Sequence, residues 1–136
     1  MAIETASILV VEDDPIMCAM IRHTLKRLGI HDVHFSKDGT EALKQLTIFT
    51  PDVILSDIHM RPLGGIQFVK VLRAVPKASI NSIHVIFISA DTTRATLEKA
   101  RALGSVDYIV KPPRIDVLKA KIEHAINNGS AEVGTI

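Results

Sequence analysis

Three apolar runs in this chain end in charge. The run "SILVVEDD" closes on Glu12, Asp13 and Asp14, "PDVILSD" closes on Asp57, and "VDYIVKPP" carries Lys111 just past its apolar stretch. In an open parallel sheet, ligands bind in the crevice outside the carboxyl ends of the strands, so charges at three strand ends are expected to meet in space. Several carboxylates in a partly dehydrated crevice cannot all stay ionised unless a cation compensates them or some take up protons. Mg²⁺ is the simplest remedy, since it prefers oxygen ligands and is usually held by one or two carboxylates together with a phosphate. A metal and the Lys111 ammonium together favour an incoming dianionic phosphoryl group. Asp57 is then the candidate nucleophile, forming an aspartyl phosphate, and Ser89, closing a fourth run "HVIFIS", is placed to donate its hydroxyl to a phosphoryl oxygen.

Short β-branched runs alternate with longer segments of helical period, which argues for a (βα)5 chain and a parallel sheet covered on both faces. Strands are expected at 8–12, 33–36, 53–56, 84–89 and 106–110. Asp14 and Pro15 supply an N-cap and a first helical residue for a helix to about Leu28, which Gly29 stops. Further helices are expected at 39–48, 66–75, 92–103 and 113–127. Right-handed crossovers leave few sheet orders, and 2-1-3-4-5, the flavodoxin-like doubly wound order, is the common one for five strands. It makes the first and third strands neighbours and crowds Glu12, Asp13 and Asp57 into one pocket, with Lys111 reaching over it.

With 136 residues, a net charge of +1 and one cysteine, the chain reads as one domain that needs no disulfide, and it has no zinc-like spacing. No basic stripe tracks a phosphate backbone, so direct nucleic-acid binding is not expected. No signal peptide or membrane-length apolar run is visible, which points to a cytoplasmic protein without a membrane partner. Residues 1–6 read as an N-terminal extension, 7–128 as the domain and 129–136 as a disordered tail.

The segment "ILVVEDDP", Asp57 after an apolar strand, "ISA" at 88–90, Tyr108 and the Lys111-Pro112 pair together resemble the receiver domain of two-component response regulators, over about residues 6–128. The resemblance implies that Asp57 accepts phosphate from a histidine kinase or histidine phosphotransfer protein. It implies that Asp13 and Asp57 ligate Mg²⁺ directly, with Glu12 acting mostly through water and the His59 backbone carbonyl as a further ligand. Lys111, Ser89 and Ala90 would bind the phosphoryl group, Ser89 and Tyr108 would be a switch pair, and the Lys111-Pro112 bond would be cis. The face built from the helix at 92–103, the strand at 106–110 and the last helix, carrying Arg94, Glu98, Arg101, Tyr108 and Arg114, would change on phosphorylation and meet a separate output protein. The chain departs from the family pattern at Arg61 and Pro62, where the usual proline stands one position earlier. His59 and Asp91 occupy positions that influence how fast water reaches a phosphoryl group.

Plainer readings apply to several residues. Asp14 is read as a helix cap and left out of the metal set, and the His59 side chain as a solvated loop histidine. His23, His31, His34, His84 and His124 share no ligand-like spacing and are read as surface or edge residues. Met17, Cys18 and Met20, with Ile16 and Ile21, cover more than one face of the first helix, so some must pack and the rest could dock a partner. The expectation is a phosphorylation-operated switch with no effector enzyme domain. The alternatives are a phosphorelay shuttle passing phosphate from Asp57 to a histidine elsewhere and, in another class, a Mg²⁺-dependent phosphohydrolase with an aspartyl nucleophile. That enzyme would need a general acid where this chain has Ile58 and His59.

Overall fold

Five apolar runs pair in parallel as β1 (Ser7–Val11), β2 (Asp32–Ser36), β3 (Val53–Ser56), β4 (His84–Ser89) and β5 (Val106–Val110), in the order β2-β1-β3-β4-β5. This is the doubly wound, flavodoxin-like order expected from the alternation. The computed structural model describes residues 1–128, and the tail expected at 129–136 lies outside the described residues. The helices are α1 (Pro15–Arg27), α2 (Gly39–Gln45), α3 (Gly65–Ala74), α4 (Ala78–Asn81), α5 (Arg94–Arg101) and α6 (Ile115–Asn128).

The central strands bury both faces, which is why they read as continuous apolar runs rather than as alternations. Leu9, Val11, Ile54 and Phe87 pack on one side of the sheet with Phe68, Val69 and Leu72 of α3 and Ala42 of α2. Ile8, Val10, Leu55 and Ile86 pack on the other with Ile21 and Leu25 of α1 and Leu118 and Ile122 of α6. Ile3 and Ala6, within the first six residues, belong to this second layer. Asp14 caps α1 by accepting the Ile16 N–H at 3.0 Å, with Pro15 at the first helical position.

Apart from helix ends, where α2 stops at Gln45 short of the expected 48, α5 spans Arg94–Arg101 inside the expected 92–103 and α6 starts at Ile115 rather than 113, the fold departs from the sequence reading in three places. β1 ends at Val11, one residue before Glu12. The linker between α3 and β4 folds into the short helix α4, which the sequence did not announce. It is tied down by Arg73, whose half-buried guanidinium donates to the carbonyls of Asn81, Ile83, Leu103, Gly104 and Ser105. Burial pulls this guanidinium down to about 10. His84 is the third departure: expected at a surface or edge, it is 3% exposed. It opens an internal strand, and its Nε2 lies 2.9 Å from Asp107 Oδ2, while Asp107 Oδ1 lies 3.1 Å from Lys121 Nζ. Asp107 stands 23 positions away in β5, so no local spacing could have announced the pair.

Candidate functional site

Parallel register, rather than loop geometry, places the charged residues. The hydrogen-bond ladder runs one residue past each strand: Asp57 N–H donates to Val11 O at 2.9 Å, Glu12 N–H to Ser36 O at 2.9 Å and Lys111 N–H to Ser89 O at 3.0 Å. Because Val11 faces Ser56 in the β1–β3 pairing, Glu12 and Asp57 emerge side by side.

The Lys111 ammonium closes the group. Its Nζ lies 3.0 Å from Asp57 Oδ2 and 2.9 Å from Glu12 Oε1. The second contact is an ion pair whose angle leaves that buried carboxylate oxygen without an aligned hydrogen bond. Asp57 Oδ1 accepts the Ile58 N–H at 2.7 Å, and Glu12 Oε2 accepts the Asp14 N–H at 3.1 Å. Burial pushes the Glu12 carboxyl above its ordinary pKa; Lys111 and the Asp14 amide oppose this, and the Asp57 charge adds to it. For Lys111, burial pulls downward, but Glu12 and Asp57 outweigh it and the net direction is up.

Close backbone packing fixes the loop beneath Asp57. Gly65 donates its N–H to Ile58 O at 2.7 Å, and a Cβ there would stand 2.1 Å from the Asp57 carbonyl oxygen. Only glycine allows α3 to begin so near the end of β3. The peptide bonds Arg61-Pro62 and Lys111-Pro112 are both cis.

A second network flanks the first. Ser89 is buried, and its Oγ accepts the Asp91 N–H at 3.1 Å, while Ala90 between them is exposed. The half-buried Tyr108 donates its hydroxyl to the Asp91 carbonyl, and its ring lies 6.3 Å from that of Phe87. Burial raises the phenol's pKa, with the charges of Asp91 and Asp57 adding and the Ser89 hydroxyl opposing. The Asp91 carboxylate joins two loops: Oδ2 lies 2.7 Å from His59 Nε2 and accepts Thr96 Oγ1–H at 2.8 Å, and Oδ1 accepts both the N–H and hydroxyl of Thr93. These bonds, that from His59 foremost, hold the Asp91 carboxyl well below the usual carboxylate range.

Comparison with known proteins decides the family. A response regulator receiver domain model matches residues 8–123. The chain belongs to this family. A chemotaxis protein CheY homolog of Campylobacter jejuni is 35% identical over 126 residues, covering 92% of this chain and 95% of the relative. Chemotaxis response regulator CheY4 of Vibrio cholerae has a similar structure, with a TM-score of 0.77 and 28% identity over 88% of this chain and 97% of that one. The receiver domain of a sensor histidine kinase from Pseudomonas aeruginosa PAO1, which holds a magnesium ion in its active-site cleft, matches with a TM-score of 0.79 and 26% identity over 89% and 97%.

This receiver's donor set fits such an ion. Glu12, Asp13 and Asp57 each offer a carboxylate oxygen, and these oxygens lie within 4.8 Å of one another, Asp13 being exposed and the other two buried. The buried Glu12 oxygen that lacks an aligned hydrogen bond is a donor suited to a cation. The sequence did not reveal that His59 pairs with Asp91, because the residues are 32 positions apart. The only local sign was "DTTR" ahead of a helix, an arrangement in which Asp and Thr side chains capture backbone amides.

Proposed function

We propose that this receiver is a phosphorylation-dependent switch in which Asp57 takes a phosphoryl group from a phosphohistidine of a kinase or phosphotransfer protein. The reading is carried by one observation, the Lys111 ammonium within 3.0 Å of Asp57 Oδ2 and 2.9 Å of Glu12 Oε1, each residue standing one position past the end of a different strand. A carboxylate oxygen of Asp57 attacks phosphorus, the P–N bond breaks, and its electron pair returns to the imidazole of the donor. Lys111 then pairs with the phosphoryl oxygens, exchanging part of its contact with Asp57 for the new charge.

Asp13, Asp57 and the His59 carbonyl would hold Mg²⁺, with Glu12 acting mostly through water, and the bound ion would supply positive charge to offset the carboxylates and the transferring group. Ser89 contributes its hydroxyl to a phosphoryl oxygen and Ala90 its backbone amide. As the Ser89 side chain turns toward the phosphoryl group its Oγ draws away from the Asp91 amide it accepts, and the loop holding Tyr108 moves with it. The switch thus couples the acceptor to the face formed by α5, β5 and α6, where a separate output protein responds to the dominant conformation.

The test is intact-protein mass after incubation with acetyl phosphate, with and without Mg²⁺, on the wild type and Asp57→Asn. One phosphoryl adduct, dependent on Mg²⁺ and absent from the variant, is expected. No adduct on the wild type, even with a histidine kinase supplied, would overturn the assignment.

A further inference from the structure

A groove of about 300 Å³ runs between α3 and α5, beside the loop that follows Asp57. Its apolar lining comes from Ile58 and Ile66, and its polar lining includes Lys70 of α3 and Lys99 of α5. Both lysines are exposed, and neither forms an ion pair with a described residue. None of the described residues lining the groove is acidic. Two uncompensated ammoniums on the helices that bound one groove favour an anionic occupant, and the apolar floor favours one that also brings a hydrocarbon side chain. The Asp91 carboxylate forms no ion pair with either lysine; its oxygens meet His59, Thr93 and Thr96.

We propose that the α3–α5 groove docks an acidic segment of a partner protein, with carboxylates meeting Lys70 and Lys99 and an apolar side chain resting on Ile58 and Ile66. This surface is distinct from the α5–β5–α6 face. His59 and Thr96 line the groove and both contact Asp91 Oδ2, the residue whose backbone holds Ser89 and Tyr108. Any movement of that loop therefore alters the groove, so occupancy and phosphorylation are linked reciprocally. That link rests on the proposed switch; the docking itself does not.

The experiment uses a fluorescein-labelled peptide of glutamates around one leucine, its glutamine counterpart as control, and anisotropy at low salt with the full chain. The wild type is expected to bind the glutamate peptide and not the control. Lys70→Gln combined with Lys99→Gln should weaken binding by about tenfold or more, while Lys26→Gln on α1 leaves it unchanged. Amide resonances of α3 and α5 should move on titration. Absence of binding, equal binding by the double variant, or shifts confined to other helices would overturn the docking site. A second titration follows phosphorylation verified by mass. A changed affinity is expected, and an unchanged one would overturn the coupling while leaving the phosphoacceptor assignment intact.

Discussion

The backbone N–H of Asp91 donates to Ser89 Oγ at 3.1 Å, so the hydroxyl assigned to the phosphoryl group is held by the same residue whose carbonyl accepts the Tyr108 hydroxyl. Serine and tyrosine are tied through one backbone unit. Movement of either strains the other's hydrogen bond, which gives the proposed switch a physical link rather than a correlation.

The link has a direct optical readout, because the chain contains one tyrosine and no tryptophan. Tyrosine emission of the wild type should change on addition of acetyl phosphate and Mg²⁺. In Ser89→Ala the mass adduct on Asp57 should persist while the emission change is lost. An undiminished change in the variant would break the proposed connection between Ser89 and Tyr108.

Glu12 gives a pH and metal prediction. Burial raises its folded pKa, so its contribution to stability is present in full below the unfolded value and is lost as pH rises through the folded one. Ionised Glu12 is therefore a cost at neutral pH in metal-free protein. Glu12→Gln should melt no lower than the wild type at pH 7 without Mg²⁺, and any advantage should shrink near pH 4. Added Mg²⁺ should reverse the order, because the wild type gains more from the ion. Paired thermal melts check all three points.

Asp91 carries the opposite sign. Its carboxyl is held low, first by His59 and then by Thr93 and Thr96, so its contribution is present above the ordinary carboxylate pKa and is lost as pH falls toward the folded one. Asp91→Asn should lower the melting temperature at pH 7, and the difference from wild type should narrow progressively below pH 4. Chemical denaturation across that range measures it. A difference independent of pH would show that the carboxylate charge does not matter there.

Gly65→Ala tests the close approach of α3 to β3. A methyl placed 2.1 Å from the Asp57 carbonyl oxygen forces backbone movement, which should cost about 2–3 kcal/mol of stability. The same movement should slow phosphorylation from acetyl phosphate. Gly104→Ala provides the contrast: its φ of +73° strains a side chain, but nothing lies within 4 Å, so it should lower stability without slowing phosphorylation.

Much of the site was legible because strand ends obey simple rules. Apolar runs that stop abruptly at Glu12, Asp57 and Lys111 mark the carboxyl edge of a parallel sheet, and the strand order that joins them is the common one among the few that right-handed crossovers allow. Hydrophobic period and the Asp14-Pro15 start fixed α1 in advance, since both act within a few residues of chain. The His84, Asp107 and Lys121 cluster was invisible for the converse reason: a buried histidine has no local signature when its partner lies in the neighbouring strand.

By itself, then, the sequence determined the strand and helix alternation, the residues at the strand ends and the chemistry their types permit, because these depend on local periodicity and on side-chain identity. Only the tertiary structure decided which oxygen each cation meets, that Arg73 binds five carbonyls to hold α4 and the turn before β5, and that Asp91 joins His59 to Ser89 and Tyr108. Those contacts join residues distant in the chain and depend on distances of a few tenths of an ångström, which are set by the packing of helices on the sheet and not by any spacing along it.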